Sequence, residues 1–171
     1  MKHVTLSIFS ALFFSTVGFG QELVMVNDTI NKFQIGVPVG WRYGIPKDNS
    51  VTFMALRQKT NESDKPRENF NINILHHKEV DFNESYTQFI ASIGKTDGFR
   101  IIEQKDKVIG DRKYKYLLET HKNHVSQEEM TAYILFTNDN GEVLMLTMVT
   151  TTENINRYLL LFDRIAASLK Y

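Results

Sequence analysis

The stretch that decides the fold is Asn69-Phe70-Asn71-Ile72-Asn73-Ile74, in which amide and apolar residues alternate. Successive side chains of a β-strand point to opposite faces, so this alternation predicts a strand with one apolar face and one amide-lined face. The apolar face, made of Phe70, Ile72 and Ile74, must be buried against other elements of the chain.

Further strands are predicted on both sides of this stretch, from short apolar runs and period-two alternation. They cover residues 33–37, 51–56, 100–108, 114–118, 130–136 and 143–149. The last two runs are joined by a segment that contains Asn140-Gly141. Because Asn-Gly tolerates the positive φ angles of tight turns, these two runs are predicted to form a hairpin.

Two segments have the 3.6-residue periodicity of amphipathic helices. The first, over 83–94, is predicted to be capped by Asp81 or Asn83 and to end at Gly94 or Gly98. The second, over 154–170, follows a Thr-x-x-Glu pattern from Thr150 to Glu153, which is typical of a capping box. Its apolar stripe consists of Ile155, Tyr158, Leu159, Phe162, Ile165, Ala166 and Leu169.

The order of the elements defines the fold class. Two helices, far apart in a chain of strands, are too few for repeated βαβ units. An antiparallel sheet with the helices packed on it satisfies the pattern, and the predicted class is therefore α+β.

The first twenty residues indicate where the protein acts. Lys2 is followed by the uncharged run 4–19, which ends in small residues before Gln21. This arrangement is typical of a secretory signal peptide, and we predict cleavage after residue 20 with a periplasmic or secreted product. The alternative is a membrane anchor, but the run is shorter than the roughly 20 residues that span a bilayer comfortably. Residues 21–32 are interpreted as a polar lead-in, and residues 33–171 as a single domain.

Composition excludes several classes of function. The chain has 20 Lys and Arg against 20 Asp and Glu, so it lacks the basic surface that nucleic-acid binding needs. It has no cysteine, which removes disulfides, thiol nucleophiles and thiolate metal sites. No later apolar run approaches membrane-spanning length, so no transmembrane segment is predicted after signal cleavage.

The residues that could carry chemistry are few. His121 and His124 are candidate metal ligands, with acidic neighbours such as Glu119, but a structural zinc site needs four ligands and a catalytic one three. His76-His77 lies at a strand end, where adjacent side chains point to opposite faces. No nucleophile elbow, phosphate-binding loop or zinc-helix motif is present. We therefore predict no metal, no cofactor and no catalytic site.

A contact surface is predicted instead around Trp41, Arg42 and Tyr43, since Trp, Arg and Tyr dominate interface energetics. The segment 58–68 is long and highly charged, and is interpreted as a solvated loop that joins this surface or lies beside it. The competing interpretation places Trp41 and Tyr43 at one end of the core, and packing is favoured for Trp41.

Several motifs resemble the PsbP-like domains, which are named for an extrinsic lumenal protein of photosystem II. They are Phe33-x-Ile35-x-x-Pro38-x-x-Trp41, Glu68–Ile74, Gly110–Tyr114 and Phe162–Leu169. The fold of this family also occurs in a nuclear Ran-binding factor and in bacterial envelope proteins, and this chain resembles an envelope member. The resemblance implies an antiparallel sheet packed between α-helices, and it implies no shared catalytic site.

The predicted function is that of a secreted or periplasmic, non-catalytic domain that contacts a protein or an envelope component. One alternative is a carrier of a small apolar ligand held between sheet and helix. Another is an enzyme with an unrecognised site. A large apolar pocket would favour the carrier, and a cleft that gathers His121, His124 and acids would favour the enzyme.

Overall fold

The fold is known from a computed structural model, which describes residues 21–48, 50–75, 81–139 and 141–171. The predicted signal peptide over 1–20 and the His76-His77 pair lie outside the described residues. Neither α-helix in the described part of the chain is long and apolar enough to cross a membrane.

In the described part of the chain, five strands precede the first α-helix, and four further strands precede the second. The strands are β1 Leu23–Asp28, β2 Phe33–Pro38, β3 Trp41–Gly44, β4 Phe53–Arg57, β5 Asn69–Leu75, β6 Arg100–Ile109, β7 Arg112–Lys122, β8 Glu129–Asp139 and β9 Glu142–Thr151. The helices are α1 Phe82–Ile93 and α2 Ile155–Ser168, with a 3₁₀ turn at Thr152–Asn154 before α2.

Seven of the strands form one antiparallel sheet in the order β3-β4-β5-β9-β8-β7-β6, while β1 and β2 pair as a separate hairpin. The alternating stretch over residues 69–74 forms β5, which lies near the middle of this sheet and pairs with β9. The hairpin predicted around Asn140-Gly141 is present as β8 and β9. These pairings confirm the predicted α+β class.

One face of the sheet is covered by α2 and by the β1–β2 hairpin. The apolar side chains of β5, Phe70, Ile72 and Ile74, are buried here together with Phe162 and Ile165 of α2. Gly36 of β2 lies so close to α2 that its backbone N–H donates to Ser168 Oγ at 2.7 Å. A Cβ at Gly36 would lie 2.9 Å from that oxygen, so this close approach requires glycine.

The opposite face is only partly covered, by α1. Aromatic side chains of this helix pack on Phe136 of β8, with ring centroids 5.5 Å away for Tyr86 and 5.2 Å for Phe89. The Asp81 side chain accepts from the Glu84 N–H at 2.9 Å, which confirms Asp81 as the cap. With a helix on each face, the predicted packing of the sheet between α-helices is confirmed.

A polar network also fixes α2 to the sheet. Lys107 Nζ of β6 donates to Tyr133 Oη and to Asp163 Oδ1, each at 2.7 Å, and Tyr133 Oη also donates to Asp163. The buried hydroxyl of Tyr133 is therefore satisfied at the sheet–helix boundary, as a buried polar group must be.

Four details differ from the predictions, and the first is strand β3 at Trp41–Gly44, which was not among the predicted strands. The segment over 21–32, interpreted as a polar lead-in, contains strand β1, whose Leu23 and Val26 pack against the core. The four consecutive apolar residues at the start of β1 conceal the period-two pattern by which a strand is recognised. The capping box at Thr150–Glu153 is wrong, because β9 extends through Thr151 and α2 begins without a side-chain cap hydrogen bond. Ile155 and Leu159 are only partly buried, whereas Phe162 and Ile165 are fully buried.

Candidate functional site

The part of the sheet that α1 leaves uncovered carries a row of neighbouring side chains across four strands. Arg42 of β3 lies opposite Leu56 of β4, and Leu56 lies opposite Asn69 of β5. Asn69 in turn lies opposite Val149 of β9. Directly paired residues of an antiparallel sheet share one face, so these four side chains form a continuous floor.

This floor belongs to an open basin of about 380 Å³. Its walls come from the 58–68 loop on one side and from His121 and Asn123 at the end of β7 on the other. The structure thus brings together three features that the sequence places far apart: Arg42, the charged loop and His121.

The 58–68 loop is held by an ion-pair network rather than by apolar contacts. Both oxygens of the Asp64 carboxylate accept from the guanidinium of Arg57 at 2.7 Å. The backbone N–H and the hydroxyl of Thr60 also donate to Asp64, each at 2.9 Å. The hydrogen bonds from Arg57 and Thr60 hold the pKa of the Asp64 carboxyl well below its usual range.

Glu68 anchors the far end of the loop. Its side chain is only 4% exposed, and it accepts from Arg57 Nε at 2.5 Å and from Thr150 Oγ1 at 3.2 Å. The prediction of a purely solvated loop is therefore wrong at this residue: Glu68 is a buried charge that is paired and hydrogen-bonded, as buried charges in proteins usually are.

A second ion pair crosses the basin wall. Arg67 Nε lies 2.5 Å from Glu128 Oε2, at the start of β8, and Ser126 Oγ donates to the same oxygen at 2.9 Å. The hydrogen bonds from Arg67 and Ser126 lower the pKa of the Glu128 carboxyl. This pair connects the 58–68 loop to the β7–β8 connection.

The two candidate metal ligands have different surroundings. His121 Nδ1 lies 2.9 Å from Glu119 Oε1, and this hydrogen bond raises the pKa of the His121 imidazole. His124 is exposed in the β7–β8 connection and does not line the basin. Within the described ranges, no three His, Cys, Asp or Glu side chains converge as metal ligands would.

The three predicted contact residues do not share one surface. The Trp41 side chain is 6% exposed and packs on Phe70, with ring centroids 6.2 Å apart, so it is a core residue rather than a contact residue. Tyr43, on the same face of β3, is 49% exposed beside Phe53. Arg42 lies between them in sequence and points to the opposite face, into the basin, because side chains alternate along a strand.

Four arginine and lysine side chains line the described part of the basin, and two of them lack a carboxylate partner among the described residues. Arg57 and Arg67 are neutralised by carboxylates, whereas Arg42 and Lys59 are exposed and form no ion pair within the described part of the chain. Near Arg42, the large apolar side chains of Tyr43 and Ile45 are also exposed. We call these four residues, Arg42, Tyr43, Ile45 and Lys59, the contact surface.

The described lining of the basin carries cations, a carboxylate and amides rather than hydroxyl or thiol groups. Among the described residues that line it, none is a serine, threonine or cysteine that could act as a nucleophile beside His121. The Arg42 and Lys59 cations are instead groups that pair with a carboxylate.

Sequence reasoning identified Arg42, His121 and its acidic neighbour Glu119, but it did not identify Glu68 as the buried partner of Arg57. Glu68 carries a weak signal, since it directly precedes the alternating strand β5. Glu119 lies two residues before His121 in β7 and hence on the same face.

No known protein family and no curated protein matches the sequence. Solved structures do match. The cyanobacterial PsbP (CyanoP) of Synechocystis is 15% identical, with a TM-score of 0.61 over 88% of this chain and 92% of that one. The Ran-binding protein Mog1p of Saccharomyces cerevisiae is 7% identical, with a TM-score of 0.60 over 88% and 95%. LpqN of Mycobacterium tuberculosis, described as involved in cell envelope biogenesis, is 13% identical, with a TM-score of 0.59 over 86% and 88%.

These similarities confirm that the chain has the PsbP-like fold. At such low identity they show the fold alone, and a fold hosts many unrelated functions. The function of this chain must therefore be argued from its own surface.

Proposed function

We propose that the protein is a secreted or periplasmic, non-catalytic accessory domain that binds a protein partner through the contact surface. The observation that carries the proposal is the exposure of Arg42 and Lys59, two cations without an ion pair among the described residues, beside the exposed side chains of Tyr43 and Ile45. Arginine and tyrosine are among the residues that contribute most to the binding energy of protein interfaces. Such interfaces commonly place apolar contacts beside polar or charged ones.

The shape of the partner follows from the geometry of β3. Arg42 projects from one face of this strand and Tyr43 from the other, and β3 is an edge of the sheet. A partner that contacts both side chains must reach around the edge. It would place a carboxylate near Arg42 and Lys59, and an apolar group on Tyr43 and Ile45.

The 58–68 loop favours such binding because its conformation is already fixed. Arg57 and Thr60 hold Asp64, and Glu68 holds Arg57, so Lys59 is displayed from an ordered segment. Association then loses less conformational entropy than it would with a freely moving loop, which strengthens binding.

The proposed location rests on the predicted signal peptide over 1–20. The roles described for two proteins of similar fold agree with the proposal. Mog1p is a Ran-binding protein, and LpqN is described as involved in cell envelope biogenesis.

The test is capture of the partner from an envelope extract of the source organism, with identification by mass spectrometry. Three baits are compared: the wild-type protein, the R42E/K59E variant, and Arg164→Glu. Arg164 is an exposed arginine of α2 and serves as the matched control. We expect one protein to be retained by the wild type and the control, and lost by R42E/K59E.

Retention of the same protein by all three baits would contradict the proposal. So would its loss from the Arg164→Glu bait as well, since that would indicate a general effect of charge.

A further inference from the structure

A groove of about 510 Å³ runs along α1, where the helix leaves β5 and β9 exposed. It is distinct from the basin, because Asn69 of β5 lines the basin whereas Asn73 and Leu75, toward the other end of that strand, line the groove. Its apolar lining comes from both sheet and helix and consists of Leu75, Phe89, Phe136, Val143 and Met145.

The polar side chains among the described residues that line the groove are uncharged. They are Asn73, Ser85, Gln88 and Ser92, and among the described residues no Asp, Glu, Lys, Arg or His lines the groove. A charged ligand would therefore lose its hydration without gaining a counter-charge, which is strongly unfavourable. The chemistry of the lining selects a neutral ligand.

Ser85 gives the second, independent indication of a ligand. Its side chain is 8% exposed, and its Oγ has no hydrogen-bond partner among the residues that the structure describes. Two nearby polar side chains of α1 are satisfied, since Thr87 Oγ1 donates to the Asn83 carbonyl at 2.8 Å and Gln88 Nε2 donates to Glu84 at 3.0 Å. A buried hydroxyl without a partner is rare in folded proteins and destabilises the fold, so an unfilled hydrogen bond at Ser85 requires an explanation.

We propose that this groove binds a small neutral amphiphile, a mostly apolar chain with one hydroxyl or carbonyl group that pairs with Ser85. The chain lies on Phe89, Phe136 and Met145, and the polar group reaches Ser85 after rotation about its χ1. A volume of about 510 Å³ lies within the range of about 300–1,000 Å³ that is typical of small-molecule sites. This proposal is independent of the contact surface.

The test uses N-phenyl-1-naphthylamine, a neutral dye that fluoresces in apolar sites, with purified protein from residue 21 onward. Dye binding is measured first, and the dye is then displaced by 1-decanol or by decanoate at neutral pH. We expect the alcohol to displace the dye at least tenfold more effectively than the carboxylate, because no cation lies among the described residues that line the groove.

Variants locate the binding. Ser92 is an exposed groove residue, and we expect Ser92→Trp to fill the groove and reduce dye affinity at least tenfold. Ala91 is its exposed neighbour outside the groove, and Ala91→Trp is the control that retains wild-type affinity. Ser85→Ala should weaken 1-decanol about fivefold, the effect of one hydrogen bond, without weakening the dye.

Thermal unfolding separates this role of Ser85 from a structural one. Without ligand, Ser85→Ala should be as stable as the wild type or more stable, since it removes an unsatisfied hydroxyl. Three results would overturn the proposal: no dye binding, equal displacement by decanol and decanoate, or equal losses for Ser92→Trp and Ala91→Trp. Unchanged 1-decanol affinity in Ser85→Ala would overturn the assignment of Ser85 as the polar partner.

Discussion

Arg57, the last residue of β4, donates from Nε to the carboxylate of Glu68, 2.5 Å away, in the residue that precedes β5. The Arg57 backbone N–H also donates to the Glu68 carbonyl at 3.0 Å, so a side-chain pair and a backbone hydrogen bond together join the ends of the 58–68 loop. Glu68 is buried while Arg57 is partly exposed. The loop is therefore attached to the sheet through a charge that cannot be hydrated in the folded protein.

The first prediction concerns this pair. Arg57→Ala leaves the buried Glu68 carboxylate without its cation and is expected to lower the free energy of unfolding by about 2–3 kcal/mol. Arg67→Ala breaks the more exposed ion pair with Glu128 and should have a clearly smaller effect. Urea denaturation of both variants measures the difference, and equal losses would show that the burial of Glu68 has no consequence.

The second prediction concerns pH. Glu119 raises the pKa of His121 above its value in the unfolded chain. The stability that this pair contributes is therefore fully present below about pH 6.5 and is lost as the pH rises through the raised pKa. We expect His121→Gln to be destabilised relative to the wild type at pH 5.5, and less so at pH 8.5.

The control for this prediction is His124→Gln, because His124 is exposed in the β7–β8 connection. Its stability should follow that of the wild type at both pH values. A loss of stability in His121→Gln that is independent of pH, or that is larger at high pH, would contradict the pairing of a protonated His121 with Glu119.

The third prediction concerns the core on the α2 face. Phe162 is fully buried, and its ring lies 5.9 Å from that of Tyr133. Phe162→Ala is expected to cost about 3–5 kcal/mol in unfolding free energy, from lost burial and the cavity left behind. Leu160, which is exposed on the same helix, is the control, and Leu160→Ala should change stability by less than about 0.5 kcal/mol. Similar losses of unfolding free energy in Phe162→Ala and Leu160→Ala would contradict the packing of α2 on the sheet through the helix face that contains Phe162.

The fourth prediction concerns export. If residues 1–20 form a cleaved signal peptide, the mature protein begins at Gln21. Its mass, measured on protein isolated from the periplasm or the medium of the source organism, should equal that of residues 21–171. An intact chain that retains Met1 in the membrane fraction would instead indicate the anchor.

The sheet could be predicted largely because its strands alternate. β5 has a strict period of two, and the Asn140-Gly141 pair is typical of a hairpin turn; both signals are local. β1 was not predicted, because its apolar residues do not alternate and its structure depends on pairing with β2. The capping pattern at Thr150–Glu153 failed for a related reason: pairing with β8 keeps these threonines in strand β9.

The basin could be predicted only in part. Arg42 and the 58–68 loop were recognised from residue type and charge, whereas their proximity to His121 depends on strand order. β5 pairs with β9, and β9 with β8, which places β7 three strands away from β5 on the same sheet. No local pattern contains that order. The burial of Glu68 likewise depends on Thr150 of β9, a contact made across the sheet.

Arg42 and Tyr43 are proposed to bind a protein partner rather than to stabilise the core. The affinity of the captured partner is measured for the wild type, Arg42→Ala, Tyr43→Ala and the control Arg164→Ala, with thermal unfolding of each protein in parallel. We expect Arg42→Ala and Tyr43→Ala each to weaken binding about tenfold, or about 1.4 kcal/mol, while their melting temperatures stay close to that of the wild type. Unchanged affinity, or affinity that falls only in step with thermal stability, would contradict this proposal.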